Sequence, residues 1–305
     1  MSISTPFGGL APCRGDGITV ISRTSALAIP GIKEFIKDAS VMAGAPFEKY
    51  ILITASGGES IIKQTSPTMT LIRADAGTSS RIRVETAAEV ASDAYYLILE
   101  EGSSLELVTL RNRGGSINSV RQAKICKDAK LTWTDLELGG NVNKTLNVTL
   151  DGEGASAESK MLFLGAYEHE LALCVRTYHK GRATVSKSLT RGFLSGRAKA
   201  RCQGLVRIER DAGQSNGYES MDTLLLSGQA RAEAVPDLEI DNHDVRCGHG
   251  TTIGKIDEEK IFYLMSRGLN RRQATVQIVR GYLMQKADDS DVKKIIEKAV
   301  EEALA

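Results

Sequence analysis

Between Asp241 and Gly250 the chain reads DNHDVRCGHG, and three of its side chains can bind a borderline metal ion: His243, Cys247 and His249. A cysteine thiolate and two imidazoles suit iron or zinc. On a strand without a bulge, alternate residues share a face, so His243, Val245, Cys247 and His249 would aim one way. The same spacing allows a plainer arrangement in which Val245 faces the core and takes Cys247 inward with it, free cysteine being among the most buried residue types. An inward His249 would then need hydrogen-bond partners. The residue pattern leaves both arrangements open, and a mononuclear zinc site on these three residues is one form of the first.

Other groupings carry less chemistry. Glu168, His169 and Glu170 could hold a metal but read as a solvated turn, and Arg191, Arg197, Arg201 and Arg207 read as a solvated strand face. Trp133 is expected in a core or interface. There is no H-E-x-x-H and no G-x-x-x-x-G-K-[ST] loop, so hydrolase chemistry is disfavoured and any ATP dependence must come from a partner. Five scattered cysteines (Cys13, Cys126, Cys174, Cys202 and Cys247) fit reduced thiols better than a disulfide framework. The 39 basic and 38 acidic residues nearly cancel, which argues against a nucleic-acid binder. No run of apolar residues is long enough for a membrane span, and MSISTPFGGLAPCRGDG lacks the character of a secretory signal, so a cytoplasmic protein is expected.

The elements that must position the candidate residues fall into three stretches. Residues 1–49 read as loops with a short strand at Ile18 to Ile21 and a helix over Gly31 to Val41, apolar along Ile32, Phe35 and Ile36. Residues 50–250 read as many short strands, among them YILITAS, SRIRVET, LTWTDLEL, LALCVRT and ARCQGLVRI, separated by Gly-containing turns. With no helix of normal length among them a βαβ architecture is excluded, and a sandwich or a parallel β-helix remains. Small residues inside strands (Ala155, Ala157, Ala183, Ala198, Ala200, Ala230, Ala232, Ala234) lean toward coils stacked over a narrow interior. Residues 251–305 read as helices: one capped by Asp257 and ended by Gly268, one capped by Asn270, and one opening at Ser290 or Asp291.

The run RCGHGTTIGKIDEEKIFYLMSRGLNRRQA, Arg246 to Ala274, resembles the C-terminal signature of the SufB/SufD family, scaffold subunits of the SUF iron-sulfur cluster assembly system. The likeness continues upstream through Ser188 to Ser227. The resemblance implies a mainly β chain with a right-handed parallel β-helix core and a C-terminal helical subdomain. It implies a non-enzymatic scaffold that binds a SufC-like ABC ATPase through that subdomain, for which Asp257, Glu258, Phe262, Tyr263, Arg267 and Gly268 are the candidates. It also implies a homodimer, or a heterodimer with a SufB-like subunit, formed through the end of the β-helix. An iron-sulfur cluster would be held transiently near His249, with Cys247 and His243 as further candidates, and no nucleotide would be bound by this chain itself. In SufB-like chains an essential cysteine lies in Tyr-x-x-Cys-Asp-x-Leu-Leu; here that segment is Tyr218-Glu219-Ser220-Met221-Asp222-Thr223-Leu224-Leu225, and Gly250 stands where SufB-like chains have a glutamate. Both departures are SufD-like. The alternative functions are a β-helix enzyme acting on polysaccharide and the zinc protein described above; neither an exposed carboxylate groove nor a secretory route is evident for the former.

Overall fold

The computed structural model of the chain describes residues 17–21, 25–26, 29, 32, 35–37, 39, 47, 49–87, 90–111, 114–285 and 290–304. Its strands are β1 (Gly17–Ile21), β2 (Lys49–Ala55), β3 (Gly58–Gln64), β4 (Thr68–Ala74), β5 (Ser79–Thr86), β6 (Ser92–Leu99), β7 (Ser104–Arg111), β8 (Ser116–Ile125), β9 (Lys130–Glu137), β10 (Asn141–Leu150), β11 (Ser156–Gly165), β12 (Glu170–His179), β13 (Val185–Leu194), β14 (Lys199–Ile208), β15 (Asn216–Leu225), β16 (Arg231–Ile240) and β17 (Arg246–Lys255). β1 is antiparallel to β2, and every other pairing is parallel and skips one strand. Even-numbered strands β2 to β16 form one sheet and odd-numbered strands β3 to β17 the other, so each successive pair makes one coil of a two-sheet β-solenoid. Coils lengthen along the chain: Ser79 lies beside Ser104, about 25 residues on, whereas Val185 lies beside Asn216, about 30 on.

Alternation explains the stacking. In β10, Val142, Lys144, Leu146, Val148 and Leu150 are buried inside while Asn141 and Asn143 are exposed. Repeating this period of two in every coil lines the space between the sheets with one continuous apolar core from Ile51 to Ala230. The expected small residues belong to it: Ala155, Ala157, Ala198, Ala200 and Ala230 are buried there, with Ala232 and Ala234 packed against it. Ala183 does not, because it occupies a turn at φ 52° before β13. Shape matching is close where large meets small. A side chain at Gly192 would collide with the Phe163 ring, 2.4 Å away, so the missing Cβ is the space that phenyl ring fills.

Parallel sheets tend to have both faces covered. Ile32, Phe35, Ile36 and Ala39, helical and buried as their spacing predicts, cover the outer face of β2, β4, β6 and β8 through Met69, Leu71, Tyr96 and Val120. Three helices follow β17: α1 (Glu258–Ser266), α2 (Arg271–Met284) and α3 (Ser290–Ala303). Asp257 caps α1 by accepting from the backbone of Glu259 and Lys260, Gly268 at φ 95° ends it, and Asn270 with Gln273 makes a capping box for α2. The apolar stripes of α2 and α3 (Val279, Leu283, Val292, Ile296, Val300) cover Leu110, Leu136, Leu162, Leu164 and Phe193 on the other sheet. These two helices therefore use their apolar faces on their own solenoid.

Several boundaries move. β17 runs to Lys255, so the solenoid extends past residue 250, and β13 continues to Leu194, past Ser188 where the sequence pattern stops. Strands β3 and β8 are not evident in the sequence, because Ser60, Gln64, Ser119 and Arg121 put polar side chains on their inward positions and blur the alternation. Cys13 and the prolines at 6, 12 and 30 lie outside the described residues.

Candidate functional site at the end of the solenoid

β17 lies beside β15 with Cys247 next to Gly217, His249 next to Glu219 and Thr251 next to Met221. Gly217, Glu219 and Met221 are buried inward positions, so Cys247 and His249 point inward too, on the last coil among the described residues. Cys247 is half-buried and packs with Val245 against Val206, Ile208 and Ala212; burial pushes its thiol pKa up. His249 is exposed through the open end. His243 is not on this face. Asn242 accepts a hydrogen bond from the Asp244 backbone and donates to the Arg210 carbonyl, which bends residues 241–244 and delays the strand to Arg246. The structure thus brings Cys247 and His249 to one face and leaves His243 apart, exposed in the bend. Among the described residues no three histidine, cysteine or carboxylate side chains stand close enough together to hold a metal ion.

One rung inward is a residue that the sequence reading passed over. Glu219 is 1% exposed, neither of its carboxylate oxygens has a hydrogen-bond partner, and burial, with Asp237 adding, pushes its pKa up to about 8. Its carboxylate occupies the space that a side chain at Gly204 would take, 2.1 Å from that Cβ position. Beside it on the next rung inward is Ser188, whose hydroxyl is also buried without a partner. His179 lies at the interior edge of the same region. Its Nδ1 faces the Thr184 hydroxyl at 2.7 Å and its Nε2 the Ser186 hydroxyl at 2.8 Å, and burial lowers its pKa to about 4.

Further in, the solenoid encloses charge. Asp135 accepts from Arg121, from Lys144 (3.0 Å) and from Thr109 (3.0 Å); Lys144 also bonds Glu137, and Arg121 approaches Asp93 at 3.6 Å. Burial and the neighbouring Arg121 hold the Lys144 ammonium below the usual lysine range, while the two cations hold the Asp135 carboxyl down against its own burial. Trp133, placed in the core as expected, donates to Thr109 and lies against Arg121. A parity test would have found these groups. Arg121 has the strand parity of Ile117, Ala123 and Ile125, as Asp135 has that of Leu131 and Trp133, and Glu219 that of Met221.

The remaining candidates are surface features. His169 accepts from the backbone of Gly140 and Ala166 and so shapes its turn. Arg191, Arg197, Arg201 and Arg207 pair with Asp222, Glu168, Glu233 and Glu239, which cancels the local basic charge. On α1, only Ile261 is buried. Phe262 is 74% exposed and Tyr263 57%, with Arg267 stacked on the Tyr263 ring and Glu258 paired to Arg271. Cys126, Cys174, Cys202 and Cys247 are free, and among the described residues no helix is long and apolar enough to cross a membrane.

The fold is thus a parallel β-solenoid with a cysteine and a histidine on its last coil among the described residues and an aromatic-bearing helix directly after it. Residues 54–282 match the model of the SufBD core domain of the SUF system for FeS cluster assembly, and the chain belongs to that family. It is similar to the iron-sulfur cluster assembly protein SufD of Bacillus subtilis, 27% identical over 57% of this chain and 40% of that protein. It is also similar to SufBD family proteins of Pyropia yezoensis (26% identical, 61% of this chain, 40% of that one) and Mycobacterium leprae (24%, 92% and 34%). The matched region spans about two fifths or less of the length of these three relatives.

Proposed function

We propose that this chain is a scaffold subunit of the SUF iron-sulfur cluster assembly machinery, without catalytic turnover of its own, which pairs through β16 and β17 and binds a SufC-like ABC ATPase through α1. The observation that carries this reading is the contrast between α1 and the helices after it. α2 and α3 bury their apolar faces on the solenoid, whereas α1 leaves Phe262, Tyr263 and Met265 to solvent. Exposed aromatics gathered on one helix suit a protein partner.

The last coil supports the pairing. Inward positions that are buried in β14 and β15 become half-exposed or exposed in β16 and β17, among them Leu238, Ile240 and Ile253. A solenoid end is an open edge, which a partner related by a two-fold or pseudo-two-fold axis would cover. The partner is a second copy or a SufB-like subunit. Nucleotide hydrolysis belongs to the ATPase, and because α1 follows β17 after only Ile256 and Asp257, movement of the bound ATPase would reach the end coil directly. Iron and sulfide are the cargo, assembled where Cys247 and His249 face the partner. Free thiols fit a reducing cytoplasm.

The test is capture and loading by the full chain. Phe262→Glu with Tyr263→Ala should abolish capture of the SufC-like ATPase at unchanged melting temperature, and His249→Ala should abolish anaerobic incorporation of iron and sulfide in the assembled complex. Equal capture by the α1 variant, or equal incorporation by the His249 variant, overturns the corresponding half.

A further inference from the structure

Beside the helical cover, the outer face of the odd-numbered sheet holds a pocket of about 260 Å³. Strand register explains its walls. On β11, β13 and β15 the outward residues run Glu158, Lys187, Tyr218 in one row, Lys160, Leu189, Ser220 in the next and Leu162, Arg191, Asp222 in the third. Alternate residues of a strand share a face, so Lys187 and Arg191 flank Leu189 on their own strand, and Lys160 lies beside it on the neighbouring one. Three cations thus surround one buried apolar floor residue, and all of them line the pocket.

The acids around them do not match these cations. Glu158, 3.3 Å from Lys160, is the one carboxylate among the lining residues. Arg191 is braced from outside the pocket: its Nε and Nη2 donate to Asp222, its Nη1 donates to the Tyr282 carbonyl, and its guanidinium lies on the Tyr282 ring. That bracing fixes the guanidinium and leaves part of its donor fork for a ligand. Lys187 is exposed and has no carboxylate partner among the described residues. Lys160 is on the outward face yet only 7% exposed, so its charge is held in the pocket wall rather than in bulk water. Like charges gathered in a cleft raise the local concentration of anions. Tyr218 forms the wall toward β17. A Cβ at Gly248 would stand 3.7 Å from its ring and one at Gly250 3.0 Å from its hydroxyl, so these glycines make room for a ring that stays half-exposed at the pocket.

We propose that this pocket binds the phosphoryl group of a small molecule, with Lys160, Lys187 and Arg191 as its donors. Cations on three sides match a tetrahedral oxyanion better than the two oxygens of a carboxylate, and charge-assisted hydrogen bonds to phosphate are among the strong ones. The space is smaller than the roughly 300–1,000 Å³ of pockets that take drug-sized ligands, so the occupant is free phosphate or a small phosphomonoester whose organic part lies against Tyr218. The site does not depend on the scaffold reading.

The probe is phenyl phosphate, titrated calorimetrically into the full chain at low ionic strength, with inorganic phosphate and benzoate in parallel. Phenyl phosphate should bind one equivalent. Lys187→Gln, at an exposed position, should weaken that binding about tenfold or more at unchanged melting temperature, as expected for the loss of a hydrogen bond between charged groups, and Lys160→Gln should weaken it as much. Lys199→Gln, which removes an exposed lysine paired with Glu170 on the other sheet, should leave the affinity as it is. Inorganic phosphate binding as tightly as phenyl phosphate identifies the free ion as the occupant; tighter phenyl phosphate, by a margin that Tyr218→Leu removes, identifies a phosphomonoester. A chain that binds neither, an affinity unchanged in Lys187→Gln or lowered equally in Lys199→Gln, or benzoate binding as tightly as phenyl phosphate, overturns the proposal.

Discussion

The middle coils and the last coils of the solenoid both carry polar side chains inward, but they handle them in opposite ways. In β6 to β10 each charge has a counter-charge: Asp135 lies between Arg121 and Lys144, Glu137 bonds Lys144, and Asp93 faces Arg121. From β12 onward His179 is held by hydroxyls alone and Glu219 by nothing. A closed ionic network specifies how its coils stack, because every member loses its partners if the register slips. The middle coils also leave single atoms of Asp93, Arg111 and Glu137 without a hydrogen bond, but each of those groups still faces an opposite charge, which Glu219 does not.

Breaking the network should have the largest effect on stability. Lys144→Met removes a cation shared by two buried carboxylates and is expected to cost about 3–5 kcal/mol, read as a fall in the denaturation midpoint. A loss under about 1 kcal/mol would mean that the middle coils are no better paired than the end and would dissolve the contrast.

His179 gives the intermediate effect, through pH. Its pKa is lowered from 6.5 to about 4 by burial. Between those values the unfolded chain takes up a proton that the folded chain refuses, so its contribution is present above pH 6.5 and is lost as pH falls toward 4. The slope from this group is at most about 1.4 kcal/mol per pH unit. His179→Gln should flatten the acid limb of a stability profile recorded from pH 7 to pH 4; an unchanged limb would show that His179 accepts its proton in the folded chain without penalty.

Much of this architecture was legible in the residues. The caps Asp257 and Asn270, the stop at Gly268 and the stripe of Val292, Ile296 and Val300 follow from local chemistry, and the structure forms the helices they predict. Stacked coils were suggested by alanines inside strands, since a narrow interior limits side-chain volume wherever the coils lie. Two things were less legible. Inward polar residues hide strands such as β8, because a pattern method reads Ser119 and Arg121 as breaks in alternation, although their partners sit on other coils, as Asp93 and Asp135 do. The candidate residues were unequally legible. Cys247 and His249 carry recognisable ligand chemistry in the sequence, whereas the burial of Glu219 follows only from the register that sets it beside His249 and the glycine that makes room for it. His243 looked equivalent to them until the Asn242 turn removed it from the strand.

The smallest effect on stability should come from the end coil, and it tests the central claim that this end is built to be covered. Ile253 is 42% exposed on the inward face of β17. Light scattering at micromolar concentration, on the full chain with and without a SufB-like subunit, should show a dimer for the wild-type protein. Ile253→Arg should return it to a monomer with a melting temperature changed by no more than its replacement of an exposed side chain allows, about 0.5 kcal/mol in stability. A wild-type chain that stays monomeric under both conditions, or an Ile253→Arg variant that still pairs, would contradict the account.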